Sequence, residues 1–396
     1  MSLGRIPGSA SEKSAPYQIE SVGRACRLLR ILQNHGSLPL FELAEMARLS
    51  RPTVFRLVAT LQANGIVIKD TSRRYRLAGG LLPGRRYKIA YAAETGESSF
   101  YRAVTRGLIE SAARAGVELL ALDSQYSPEV ARANAERVMT ENIDLAMEFQ
   151  TYGQLASVIS AHAASRKVPL IAIEIPHPNA IYFGVDNCQA GLTAGRYLAR
   201  WAEQHWRGQI DEILLIGSTG AGSLPEARLT GSLLGIHEVL PNSANAKVST
   251  IDGNWRRDVS REAVRYHLNT STASRILVST INDPSAIGAL EAFKDTGRLQ
   301  DCAIVGQNCS IEARLEMHHP HSRLLGSVAY FPERYGEQLI ALALDILTQR
   351  IPIPNAVFIK HQLLTPSNLK QHYGRELQAA KQSERNVRVD PNPLLS

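Results

Sequence analysis

The sequence predicts an α/β chain of two unlike parts: a small helical head closed by a β-hairpin, and a long two-lobed domain built on parallel sheets. Two observations carry this. Residues 1–88 hold 15 Lys and Arg against 5 Asp and Glu, a surplus of ten, while the whole chain of 396 residues carries only +7, which leaves the remainder at −3. From Lys88 onward, short apolar runs alternate with stretches of helical periodicity. That is the pattern of strands covered by helices on both faces. A basic surplus at one end calls for a polyanion at that end, and double-stranded DNA is the first candidate.

The head reads in order. Residues 21–34 place Val22, Ala25, Cys26, Leu29 and Leu32 on one helical face, and His35-Gly36 stops that helix. Pro39 suits the first turn of a second helix whose stripe is Leu40, Leu43, Ala44 and Ala47. A short turn at Leu49-Ser50 follows. Ser50 is a good N-cap for a third helix with Pro52 in its first turn, ended by Gly65. IVIKD, a polar turn at Thr71-Ser72, and RRYRLAG then read as a two-stranded wing. Three helices and a basic hairpin make a winged helix-turn-helix. Its third helix would enter the major groove with Arg51, Thr53 and Arg56 toward base edges, and Phe55 would pack or touch a thymine methyl. Arg73 and Arg74 at the wing tip are placed for phosphate or minor-groove contact. The competing reading is a solvated basic face on a small helical domain.

The stretch from Tyr17 to Gly80 resembles the winged helix-turn-helix of IclR-type transcriptional regulators. The S-V-x-R-A opening, the L-x-E-L-A second helix, S-x-x-T-V-x-R-L and the Y-R-L wing strand fall in register. The resemblance implies a DNA-binding domain over 17–80, after a disordered N-terminus at 1–16 and before a linker at 81–87. It also implies a GAF-like effector domain next, and there the chain departs from the family.

Ten strands are expected in the remainder: KIAYAA, VELLALD, LAMEF, PLIAIE, IYFGV, EILLIG, KVSTI, RILVST, AIVGQ and LGSVAY. Ten is many for one sheet, so two lobes are expected. In open α/β sheets ligands sit beyond the carboxyl ends of the strands. The residues there include Glu94, Asp123, Glu148, Gln150, Glu174, His177, Asp186-Asn187, Arg228, Trp255, Asn282-Asp283, Gln307-Asn308 and Tyr330. Aromatic rings for an apolar sugar face, with Asn, Asp and Arg for hydroxyls, suit a small polyhydroxyl ligand. Asp186, Asn187 and Asp283 read equally as helix caps.

Residues 88–370 resemble the type I periplasmic-binding-protein fold of ribose-binding proteins and of LacI-type effector domains. FYRAVTRG, FGVDNCQAGLTAGRYL, STINDPSAIGALEAF, IVGQN and SVAYFPERYGEQLIALALDIL carry it. The resemblance implies lobe 1 at about 88–184 and 330–360, and lobe 2 at about 188–327 and 361–370. It makes Phe100 and Tyr101 ring-stacking residues, Arg228 a ligand-binding arginine, Trp255 a second stacking ring and Asn282 a hydroxyl binder. Asn308 stands where sugar binders keep an Asp, and Tyr330 where ribose binders have Gln. With Glu94 and Glu174 nearby, an amine, a polyol or a modified sugar remains open beside a plain sugar. The hinge-helix motif of LacI-type repressors is missing.

Other chemistry is not expected. The glycine-rich loop after Gly217 lacks the Gly-Lys-Ser/Thr of a phosphate loop. His318, His319 and His321 lack a convincing further ligand, so no metal or cofactor is expected. No zinc-protease helix or nucleophile elbow occurs, so no enzyme activity is expected. Four scattered cysteines argue against a disulfide scaffold. The polar opening has no secretory apolar region and no run of 18 apolar residues occurs, so a cytoplasmic protein without a membrane span is expected. The tail at 379–396 reads as disordered. Together these features point to a ligand-responsive regulator acting on an operator as a homodimer or tetramer. A transport binding protein and an enzyme are the alternatives.

Overall fold

The computed structural model describes residues 19–69, 73–78, 87–94, 98–125, 127–150, 153–220, 222–348 and 350–378. The expected disordered ends at 1–16 and 379–396, nearly all of the linker at 81–87, and the Thr71-Ser72 turn lie outside the described residues. The chain divides into two compact units, 1–86 and 87–396.

In the first unit, α1 (Glu20–His35), α2 (Leu40–Ala47) and α3 (Arg51–Ala63) pack on a three-stranded sheet of β1 (Leu38–Pro39), β2 (Val67–Lys69) and β3 (Arg74–Leu77), in the order β1-β3-β2. Its core is Leu28, Leu32, Leu43, Ala47, Val54, Val58, Leu61, Val67 and Tyr75. The expected stripe on α1 is rotated. Leu28 and Leu32 face inward, whereas Val22 and Cys26 are exposed. Leu28 and Leu32, one turn apart, join the core of this unit, with Leu29 and Ile31 packed partly against it. Pro39 also differs from expectation. It has extended backbone (φ −73°, ψ 158°) and sits at the N-cap, ending a short strand. Lacking an N–H, it can close a two-residue bridge to β3 without leaving a donor unpaired. Ser50 caps α3 as expected, its Oγ accepting from the Thr53 N–H.

The second unit holds two six-stranded sheets. In lobe 1, β4 (Lys88–Ala93), β5 (Glu118–Asp123), β6 (Leu145–Phe149), β7 (Leu170–Ile173), β8 (Ile181–Val185) and β14 (Ala356–Ile359) run parallel in the order β14-β8-β7-β6-β4-β5. In lobe 2 the order is β10-β9-β11-β12-β13-β15, from β9 (Glu212–Gly217), β10 (Lys247–Asp252), β11 (Ile276–Thr280), β12 (Cys302–Asn308), β13 (Leu324–Ala329) and β15 (Gln362–Leu364). Only β15 is antiparallel to its neighbour. All ten expected strands are present, and β14 and β15 are additional. Buried runs such as LAMEF and EILLIG, without alternation, mark strands covered on both faces.

Around lobe 1 lie α4 (Ser99–Ala115), α5 (Pro128–Thr140), α6 (Gly153–Ser165) and α12 (Tyr335–Leu347). Around lobe 2 lie α7 (Asn187–Trp206), α8 (Ser223–Val239), α9 (Arg257–Thr270), α10 (Asp283–Asp295) and α11 (Ile311–Met317). The chain crosses between lobes at 185–187, 329–335 and 359–362. A side chain cannot fit where α7 crosses α8. A Cβ on Gly191 would stand 2.1 Å from the Arg228 carbonyl, and one on Gly195 1.9 Å from that of Ser232. Glycine there lets the two backbones touch, and it fixes α8, which carries Arg228.

Candidate functional site

In the head, Val54, Val58 and Leu61 bury one face of α3, and Arg51, Phe55 and Arg56 stand exposed on the other. Phe55 is 55% exposed, so the packing alternative for it does not hold within this unit. Thr53 is half-buried, its hydroxyl 2.8 Å from that of Ser50, so it is drawn into the cap. Arg73 is exposed in left-handed backbone (φ 59°) where β3 begins. Arg74 is half-buried and donates to the Ser37 carbonyl at 2.6 Å. Among the described residues, the exposed cations of α3 and the wing are therefore Arg51, Arg56, Lys69 and Arg73, with Arg74 serving partly inside the domain.

In the second unit, the carboxyl ends of both sheets meet around Arg228, which is 4% exposed. Its Nη2 donates to Glu174 Oε2 at 2.9 Å, its Nε to Asn187 Oδ1 at 2.6 Å, and its Nη1 to the Ile281 carbonyl at 3.0 Å. Its guanidinium lies 5.1 Å from the centre of the Tyr330 ring. Glu174 follows β7 in lobe 1 and Ile281 follows β11 in lobe 2, so one side chain bridges the lobes. A second bridge joins Ser99 Oγ at the start of α4 to Glu312 Oε2 on α11 at 2.9 Å.

Supporting groups surround this pair. The Tyr335 hydroxyl donates to Glu174 Oε1, and the Tyr330 hydroxyl donates to Gln307 Oε1 at 2.7 Å. Burial raises both phenol pKa values, so both remain donors. The Glu174 carboxyl stays raised, since burial pushes it up and Arg228 and Tyr335 pull it only part of the way back. Gln150 and His177, both buried, meet at 3.3 Å, and burial holds His177 neutral by lowering its pKa. Glu94 is fully buried beside the Tyr101 hydroxyl, at 3.5 Å. Phe100 packs edge-on against Phe149, Tyr330 and Tyr335, and Tyr101 tilts over Phe149 with ring centres 4.1 Å apart. Non-glycine residues take left-handed backbone at several strand ends: Glu174 (φ 62°), Asn308 (φ 95°), Cys309 (φ 53°) and Phe331 (φ 56°). Each costs on the order of 1–3 kcal/mol, and such strain gathers at functional sites.

Glu94, Gln150, Glu174, Asn308 and Tyr330 therefore lie at strand ends, and Phe100 and Tyr101 on α4 and Arg228 on α8 reach them. Two expected residues are used differently. Asn282 caps α10, accepting from the Ser285 N–H at 2.9 Å, and its amide donates to the Trp255 carbonyl at 2.9 Å. Trp255 is half-buried in left-handed backbone (φ 61°), engaged here through its carbonyl. Asp283 is no cap. Its buried carboxylate accepts from Ser327 Oγ at 2.6 Å and from the Ser310 N–H, holding the turn after Asn308. Asp186 does cap α7. Sequence reasoning missed Tyr335 and also Tyr182, whose hydroxyl accepts from the Asn187 amide at 3.1 Å. Tyr335 sits in a helix and Tyr182 inside a strand, away from the strand-end positions searched.

Residues 89–350 match the model of the periplasmic binding protein domain family. The chain belongs to that family. Residues 21–71 match the IclR helix-turn-helix domain, so a periplasmic-binding-protein domain here follows a helix-turn-helix. The ribose import binding protein of Salmonella typhimurium is 21% identical over 262 residues, 65% of this chain and 84% of that protein. A solute binding protein from Bacillus halodurans solved with myo-inositol superposes with TM-score 0.63 at 18% identity, covering 73% of this chain and 98% of that one. One from Actinobacillus succinogenes solved with D-allose gives TM-score 0.63 at 17% identity, covering 72% and 100%. Among the described residues, no helix is long and apolar enough to cross a membrane.

Buried acids also lie outside the Arg228 cluster, Glu148 among them. Burial alone pushes Glu148, on β6, from the ordinary 4.5 to about 8. The folded domain therefore holds it protonated at neutral pH, whereas the unfolded chain ionises it. Its contribution to stability is full below about 4.5 and is lost as pH rises through about 8. Glu148→Gln is expected to flatten stability across that window relative to the parent, measured as urea midpoints from pH 4 to pH 9. Parallel curves would refute this.

Proposed function

We propose that the protein is a ligand-responsive transcriptional regulator. Its helix-turn-helix reads an operator, and its periplasmic-binding-protein domain closes on a small polyhydroxyl molecule. The observation that carries this is the presence, in one chain, of a recognition helix presenting Arg51, Phe55 and Arg56 and a two-lobed domain whose polar strand ends converge on Arg228. The relatives solved with inositol and allose support a sugar or polyol as effector. In this reading Arg228–Glu174 and Ser99–Glu312 are contacts made on closure, and ligand biases the open and closed populations. DNA and effector then change each other's affinity by one factor, about 5–150-fold for ordinary coupling. Operator reading by a helix-turn-helix favours a homodimer or tetramer on a palindrome. The relatives serve import, but solute delivery would leave the basic head without a role.

Selection of duplexes from a random pool, followed by fluorescence anisotropy, tests the DNA half. Arg56→Ala is expected to cost about 1–3 kcal/mol and to relax preference at one base pair. Arg73→Ala is expected to weaken all duplexes alike and to reduce the salt slope by about one. A pool that yields no preferred sequence would overturn the reading.

A further inference from the structure

We infer that the cleft takes an uncharged polyhydroxyl ligand and rejects its carboxylated or phosphorylated counterparts, with Glu174 as the residue that sets this preference. The inference rests on the sensing role proposed above and names the chemical class that role serves.

A cation with charge to spare is the strongest holder of a buried anionic ligand. Among the described residues of the second unit, the buried cations are Arg228 and Arg314. Arg314 is held by Glu376, at 2.8 and 3.0 Å, and by the Cys309 carbonyl. Arg228 is already matched: Glu174 takes Nη2, Asn187 takes Nε, the Ile281 carbonyl takes Nη1, and Tyr330 lies against its face. A carboxylate or phosphate would have to share that guanidinium with Glu174. It would leave one uncompensated negative charge in a water-poor cleft. The remaining buried side chains at these strand ends include Glu94, Gln150, His177, Asn282 and Gln307; they offer hydrogen bonds, and burial lowers the His177 pKa and so disfavours a positive charge there.

A second observation points the same way. Gln307 Nε2 and Asn308 Oδ1, at adjacent positions ending β12, are buried and have no hydrogen-bond partner. One is a donor and the other an acceptor. A ligand hydroxyl both donates and accepts, so hydroxyls can satisfy both, whereas an ionised phosphate or carboxylate group placed against this pair only accepts and leaves Asn308 Oδ1 unpaired. Glu174 is itself held in place from two sides, since its backbone is left-handed and the Tyr335 hydroxyl fixes its second oxygen.

The test is titration of the full chain, by thermal shift and calorimetry, with D-ribose, D-allose and myo-inositol. Their counterparts D-ribonate, D-ribose 5-phosphate and myo-inositol 1-phosphate are run beside them. The expected result is binding of at least one neutral probe, with its anionic counterpart at least about 100-fold weaker. Glu174→Gln leaves Arg228 charged and unmatched, so that variant is expected to gain about tenfold or more for the anionic probe and to lose affinity for the neutral one. An anionic probe that binds the parent within tenfold of its neutral partner overturns the inference and leaves the sensing role standing. Silence from all six probes counts against the sensing role itself, and the inference falls with it. If Glu174→Gln does not fold, the comparison on the parent chain decides alone.

Discussion

Arg228→Ala is expected to destabilise the two-lobed domain by about 3–5 kcal/mol, because it strands a buried carboxylate. Glu174 is 5% exposed, and Arg228 is the cation in contact with it. Removing the guanidinium also frees the Ile281 carbonyl and Asn187 Oδ1 from their donors. Arg228→Lys should rescue little, since one ammonium cannot reproduce a planar fork reaching three acceptors. The charge origin of the loss has its own signature. Without Arg228, burial is opposed only by the Tyr335 hydroxyl and one backbone hydrogen bond, so the Glu174 pKa rises further. The variant then keeps more of its stability at pH 5 than at pH 8, the sign expected when the folded state binds the extra proton. Urea unfolding of Arg228→Ala, Glu174→Gln and the double variant at both pH values measures this. The double variant should be more stable than Arg228→Ala alone. Additive losses with no pH dependence would show that the pair is not coupled.

The fold was legible where the pattern was long and buried. Strands such as KIAYAA and EILLIG announce themselves because both faces are covered, so no polar residue interrupts them. The strands that escaped, β14 and β15, are four and three residues long and lie at sheet edges, with Phe358 60% exposed. Three or four residues are too short a run to set a periodicity, even though β14, Ala-Val-Phe-Ile, is wholly apolar. In the head, Ser50 was legible as a cap because capping is local chemistry, whereas the face of α1 was not. Val22, Cys26 and Leu29 have helical spacing, but only the packing of α2 and α3 decides which turn of α1 is covered. The candidate site followed the same division. The strand-end rule found Glu94, Gln150, Glu174 and Arg228 without knowledge of their partners. It did not show that Arg228 would be matched by Glu174, since that depends on two lobes meeting across 54 residues of sequence. Nor did it separate Asn282 as a ligand binder from Asn282 as a cap, because the same amide chemistry serves both.

The other large effect belongs to a residue with no side chain. Gly195→Ala is expected to destabilise the domain by about 1–3 kcal/mol, the ordinary cost of forcing extra methylenes into a packed contact. Alanine is the better helix former by about 1 kcal/mol, so propensity alone predicts the opposite sign. The steric cost decides, because the added Cβ would stand 1.9 Å from the Ser232 carbonyl, and no rotamer relieves a clash with backbone. Gly231 and Gly235 on α8 reciprocate, their Cβ positions falling 2.3 Å from the Cys188 carbonyl and 2.6 Å from that of Leu192. The crossing can adapt only by α8 moving away from α7. Arg228 rides on α8 and Asn187 on α7, so that movement opens the 2.6 Å hydrogen bond between them and loosens the grip on Glu174. Gly195→Ala should therefore weaken the best neutral ligand as well as the fold, although residue 195 lies two helical turns along α7 from Asn187. Gly374→Ala is the matched control. It is also helical, but its Cβ meets nothing within 4 Å, so the propensity gain should appear undiminished. If both variants gain stability in urea titrations, the close crossing of α7 and α8 is not what positions Arg228.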